Sequence, residues 1–168
     1  MDMTATMATE TRQWFAEQLE RHRGIVIKVA ASYCRHPDDR AELAQEIAAQ
    51  LWQAFPRYDE SRPFATWMYR IALNVAISSL RRQRMPAPLP LDDAMHDIAD
   101  PQARDPAVEQ QVRALHRFIH SQAPLDRALL LLYLEDRSYR EMSEILGLSE
   151  TNVATKINRL KQRIRETL

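Results

Sequence analysis

The chain has 168 residues, of which 45% are hydrophobic, and only two glycines, Gly24 and Gly147, against about twelve at average usage. So few residues able to hold positive φ exclude a sheet-rich or doubly wound fold and any glycine-rich nucleotide loop, leaving an all-α protein of one ordinary domain or two small ones. The zero net charge (23 basic, 23 acidic) hides a segregation: residues 1–84 carry twelve basic against ten acidic side chains, 85–110 one against six, and 137–168 seven against four, so separate segments have separate electrostatic roles.

From the N-terminus, the spacing predicts a helix over about 11–34, with Trp14, Leu19, Ile25, Val26, Val29 and Tyr33 on its apolar side and His36-Pro37 ending it. Asp38 or Asp39 is expected to cap a second helix through Phe55, where Leu43, Ile47, Leu51 and Phe55 repeat every four residues and draw one seam. Pro56 stops it, Arg57–Arg62 reads as a polar loop, and Pro63 suits the first turn of a helix from Phe64 to about Arg84. Cys34, the single cysteine, reads as a small buried hydrophobe in a reducing compartment rather than a nucleophile.

Five of the nine prolines (Pro86, Pro88, Pro90, Pro101 and Pro106) fall in the acidic stretch. Proline blocks helix interiors and extends the residue before it. Residues 85–107 therefore read as a flexible linker, and the lobes on either side are expected to move independently. Beyond it, Val108, Val112, Leu115 and Ile119 make a helical stripe, and Pro124 opens a very apolar helix, Leu125–Leu134. Ser138 and Glu141 have capping-box spacing, and Gly147 stands where a left-handed residue ends a helix. Ser149 can cap a last helix with the seam Val153, Ile157, Leu160 and Ile164. The result is a helix-turn-helix. The last helix carries Asn152, Thr155, Lys156, Arg159 and Arg163 on its other side, suited to base edges and phosphates, or to nothing more than a solvated surface.

Other chemistry finds no residues. His116 and His120 have helical metal-ligand spacing but no glutamate after His116 and no further ligand cluster, so neither a metal nor a cofactor is expected. His22, Asp38 and Cys34 form no catalytic set. The longest apolar run, Ala128–Leu134, has seven residues, far short of the ~20 that span a bilayer. The N-terminus shows no apolar signal core. Neither membrane insertion nor secretion is expected, and the location read is cytoplasmic.

Three stretches resemble the extracytoplasmic-function group of bacterial RNA polymerase sigma factors. Asp39–Trp52 is similar to the family's acidic-Leu-x-Gln-Glu helix ending in Leu-Trp. Phe64–Asn74 with Leu80-Arg81-Arg82 resembles its Phe-x-x-Trp-Leu-x-x-Ile-Ala-x-Asn run and basic end. Ser138–Ser149 with Asn152-Val153 and Arg159 resembles its helix-turn-helix. Ala41, Ala48, Ser78 and Ala154 depart from the pattern, as does Glu150-Thr151. The resemblance implies a region 2-like lobe (1–84) and a region 4-like lobe (108–168).

It further implies that Gln45 and Glu46, supported by Leu43 and Leu51, hold core RNA polymerase, with the leucines equally readable as plain core. Arg62, Trp67, Arg70, Ile71, Asn74 and Arg81 would meet the −10 element of promoter DNA, and loop Arg57–Arg62 would wall a pocket for a flipped base. An aromatic such as Trp67 or Tyr69 can stack on an unpaired base, although Trp67 also reads as ordinary core. Arg82 and Arg84 would follow phosphates. Asn152, Thr155, Lys156, Arg159 and Arg163 would read the −35 element. The acidic linker, with Asp92, Asp93, Asp97, Asp100 and Asp105, would thread the polymerase channels or be a soluble spacer. An anti-sigma partner is compatible with the family, though no residue identifies one. The competing readings are a stand-alone helix-turn-helix regulator that binds a palindrome as a dimer, and a helical adaptor without DNA.

Overall fold

The computed structural model describes residues 3–83 and 105–168; most of the stretch read as linker, and Arg84, lie outside the described residues. These residues form α1 (Met3–Arg21), α2 (Arg23–Tyr33), α3 (Pro37–Ala54), a 3₁₀ turn (Phe55–Arg57), α4 (Phe64–Arg82), α5 (Pro106–Ser121), α6 (Pro124–Leu134), α7 (Tyr139–Leu146) and α8 (Glu150–Thr167). No strand occurs among the described residues, so the fold is all-α with two helical lobes.

The expected helix over 11–34 is two helices. His22 leaves helical geometry at φ −104° and ψ 15°, and Ile25 N–H bonds back to the His22 carbonyl at 3.0 Å in a tighter turn. The break resets the helical phase. Phe15, absent from the predicted stripe, is fully buried, while its neighbour Trp14 is 40% exposed. Neither Asp38 nor Asp39 caps α3: His36 is the N-cap without a side-chain bond, Pro37 opens the helix, and both aspartates sit in the first turn, where their charge favours the helix N-terminus. Pro63 is itself the N-cap of α4.

The second lobe follows its local signals closely. Asp105 caps α5 by accepting from Ala107 N–H at 3.0 Å, so that helix starts within the stretch read as linker. Val108, predicted on its apolar stripe, is 46% exposed, whereas Ile119 at the other end is buried. Ser138 Oγ accepts from Glu141 N–H at 3.1 Å. The Glu141 carboxylate takes the Ser138 hydroxyl (3.3 Å) and Arg137 (3.2 Å), an outcome different from the reciprocal capping box. Gly147 is left-handed at φ 69° and ends α7, and Ser149 Oγ accepts from Asn152 N–H at 3.1 Å.

The core of the first lobe is α2, α3 and α4, with Leu43, Ile47, Leu51, Met68, Ala72 and Leu73 nearly or fully buried. The core of the second is built on Leu129, Leu132, Met142, Ile157 and Leu160. In this arrangement the two cores are parts of one continuous apolar cluster, with α4 packed on α7 and α2 on α5 and α6. Polar groups close the seam: Lys28 Nζ lies 2.7 Å from Glu135 Oε2, and Tyr33 OH donates to the Pro124 carbonyl at 2.6 Å. Arg137 stacks over the Tyr69 ring at 5.0 Å and Arg127 over Tyr33 at 5.7 Å. The reason is that α2 and α4 are apolar on more than one side, so a three-helix lobe alone leaves Tyr33 and Tyr69 uncovered. Both rings are now at most 5% exposed, and burial drives both phenols above their ordinary pKa.

Candidate nucleic-acid interface

The second lobe builds its site on α8. Val153, Ile157 and Leu160 anchor the helix at 1% exposure or less. That fixes its rotation and turns Asn152, Thr155, Arg159 and Arg163 outward, with Lys156 at the edge. All five residues predicted here therefore share one outer side. Thr155 Oγ1 donates to the Thr151 carbonyl at 3.0 Å, which fixes its rotamer. Beside the stripe runs an open groove of about 450 Å³ lined by Asp126, Lys156, Arg159, Gln162, Arg163 and Glu166. Arg163 lies 3.6 Å from Asp126 of α6, and Gln162 donates to Glu166 at 3.3 Å. Asp126 was missed from the sequence because it lies 37 residues from Arg163, and only the packing of α6 on α8 joins them. Ala154, where the resemblance favours a basic residue, is half-buried.

In the first lobe, Arg70, Asn74 and Arg81 are exposed on α4 and Ile71 is half-buried between them. Trp67 packs against the core of the lobe. It is only partly buried, yet packs within an aromatic cluster, 5.1 Å from Tyr58, 5.3 Å from Phe64 and 6.0 Å from Phe15, between ring centroids. Tyr69 is different: buried under Arg137, it has no face for a base in this arrangement. The loop is ordered by its own side chains. Ser61 donates from N–H and O–H to Asp59 Oδ1 at 3.0 and 2.7 Å, which holds the Asp59 carboxyl below its usual range. Tyr58 OH donates to the Arg62 carbonyl at 2.7 Å, while Arg62 itself is exposed.

On α3, Gln45 is exposed. Leu43 and Leu51 are 3% and 0% exposed and form the buried seam beneath Gln45 and Glu46. Glu46 also has a local role that the sequence did not reveal, an ion pair with Arg82 of α4 at 2.7 Å. Arg82 is thus partly neutralised as a phosphate follower. Among the described residues no cluster of His, Cys, Asp and Glu could hold a metal, and none of the helices is long and apolar enough to cross a membrane. Burial pushes the Cys34 thiol up to about 11, away from thiolate chemistry.

Comparison with known proteins agrees with both lobes. A sigma-70 region 2 family model matches residues 19–85 and a sigma-70 region 4 model matches 113–164. The ECF RNA polymerase sigma factor RpoE of Cereibacter sphaeroides is 32% identical over 130 residues, covering 74% of this chain and 70% of that protein. The RNA polymerase sigma factor CnrH of Cupriavidus metallidurans is 27% identical over 172 residues, covering 96% of this chain and 90% of that one. The probable sigma factor RfaY of Xanthomonas campestris is 29% identical over 154 residues, but the match spans only 37% of its length. In fold, the chain resembles the sigma factor RpoE solved with the anti-sigma factor NepR from Bartonella quintana, with a TM-score of 0.69, 17% identity, and coverage of 91% of this chain and 95% of that one. With both sigma-70 regions present in order and a relative of this identity, the chain belongs to the ECF group of sigma-70 family RNA polymerase sigma factors.

Proposed function

We infer that this chain binds core RNA polymerase, recognises −10 and −35 promoter elements and initiates transcription, working as a specificity subunit in the cytoplasm and not as an enzyme. The observation that carries the reading is α8: a recognition-type helix, capped by Ser149 behind a left-handed Gly147, whose buried seam turns a polar and basic stripe outward. Helices placed this way read base edges with their first turns and touch phosphates with later ones. Asn152 and Thr155 lie in the first turns, with Lys156, Arg159 and Arg163 beyond them. In the first lobe (1–84), Arg62, Trp67, Arg70, Ile71, Asn74 and Arg81 take the −10 element, and Gln45 with Glu46 takes the polymerase. Residues 85–107 connect this lobe to the −35 lobe (108–168). An anti-sigma partner fits the reading, since the Bartonella quintana neighbour was solved with one.

Two substitutions test the −35 assignment. Arg159→Ala is expected to weaken promoter binding by about 1–3 kcal/mol if its contact is to guanine. If the contact is to phosphate alone, the loss should be uniform across promoters and the salt slope should fall by about one. Lys156→Ala should follow the phosphate pattern, because an ammonium is a point charge. Wild-type transcription by both variants with purified core enzyme would refute the assignment. Core-enzyme binding also separates this reading from the stand-alone regulator, which has no use for polymerase. Replacing Gln45 and Glu46 together with alanine should weaken that binding while helicity is retained. Full affinity in the double variant would remove the pair from the interface.

A further inference from the structure

We propose that Asp126 is a specificity-determining residue of the −35 interface, acting by holding Arg163 and by repelling DNA backbone that is not correctly seated. The proposal rests on the −35 reading of α8. Asp126 belongs to a different helix from the stripe it faces, yet its Oδ2 is 3.6 Å from Arg163 Nη2 and its side chain lines the groove shared by Lys156 and Arg159. The other carboxylate in that groove, Glu166, accepts from Gln162, so Asp126 is the acid directed at the cations. Its side chain is 24% exposed against 50% for Arg163. The more buried partner is therefore the carboxylate, placed in the first turn of α6 behind Pro124, where a negative charge is favoured.

A guanidinium carries five donors in a planar fork. At 3.6 Å Asp126 draws the Arg163 guanidinium by charge without occupying its donors, which stay available to a phosphate. A duplex seated by base contacts at Asn152, Thr155 and Arg159 brings a phosphate to those donors. A duplex held only by its backbone slides freely along the stripe and meets the carboxylate. Discrimination gained by repelling the wrong partner is a general route to specificity. Here it operates through a residue that makes no base contact.

The test uses the full chain, a duplex that the wild type selects from a random-sequence library, and a scrambled duplex of the same composition, with affinities measured over a salt series. Asp126→Asn should raise affinity for the scrambled duplex by about 2- to 5-fold, the scale of an exposed ion pair. It should also steepen the salt slope by about one phosphate contact, so that the preference for the selected duplex falls. Asp126→Glu should restore wild-type preference, and in an Arg163→Gln background Asp126→Asn should still raise affinity for the scrambled duplex, because the repulsion of the backbone by the carboxylate does not depend on Arg163. An unchanged ratio and slope, or equal losses on both duplexes with helicity intact, would overturn the proposal while Arg159→Ala still impaired selection. If the wild type selects no duplex, or Arg159→Ala and Lys156→Ala bind both duplexes normally, the −35 reading itself falls and takes this proposal with it.

Discussion

Asp136 holds a positive φ of 57° in the turn between α6 and α7. Its N–H bonds to the Tyr133 carbonyl at 3.1 Å and the next N–H, of Arg137, to the Leu132 carbonyl at 3.0 Å, which is a Schellman ending with aspartate in the left-handed place. A side chain with a Cβ is strained there, although aspartate less than most. Asp136→Gly should therefore raise stability by about 0.5–1 kcal/mol after glycine's entropy is offset, read as a higher thermal midpoint. His120 sets a second residue-level expectation. It is 7% exposed, and burial, with Arg127, Arg35, His116 and Arg40 around it, pushes its pKa down to about 4. Above pH 6.5 the imidazole is neutral folded and unfolded, and costs nothing. Between 6.5 and 4 only the unfolded chain takes the proton, so stability falls with pH and levels off below 4 after a loss of about 3 kcal/mol. His120→Gln should flatten denaturant midpoints over that interval; an unchanged slope would show that other groups carry the acid sensitivity.

The elements differ in how far local sequence determines them. Helices α7 and α8 were legible almost to the residue, because Ser138, Gly147 and Ser149 act on backbone groups within three or four positions. Each serine accepts one N–H that would otherwise be unpaired, so Ser138→Ala or Ser149→Ala should cost about 1 kcal/mol, measured by denaturant unfolding. The first lobe was less legible. The break at His22 carries no proline and places Gly24 in open space, so no strong local signal marks it. The phase error that put Trp14 inward and left out Phe15 follows from treating 11–34 as one helix. The α8 stripe came directly from periodicity, whereas the Glu46–Arg82 and Arg163–Asp126 pairs did not. They join residues 36 and 37 positions apart, and pairing at that range depends on which helices pack together.

At the scale of the molecule, the joined lobes and the two-element promoter reading set incompatible lengths. Elements centred about 25 base pairs apart are separated by about 85 Å of duplex at 3.4 Å per base pair. A compact chain of 168 residues has a radius of gyration of about 15 Å. One shared core cannot place α4 on one element and α8 on the other. On that reading the seam opens when both are engaged, and its weak points are polar: the Lys28–Glu135 pair is 51% and 26% exposed, worth at most about 1 kcal/mol. Lys28→Glu puts two carboxylates in contact and should shift the free chain toward a larger radius of gyration in solution scattering, with each lobe's helicity unchanged. Adding Glu135→Lys restores opposite charges and should return the compact value. A protease site placed between residues 85 and 104 gives the complementary reading. After cleavage, wild-type fragments should co-elute in gel filtration because the Tyr33–Pro124 bond and the Arg137–Tyr69 stack lie outside the cut, whereas Lys28→Glu fragments should separate. Fragments that part in the wild type would show that the lobes need their covalent connection to stay together.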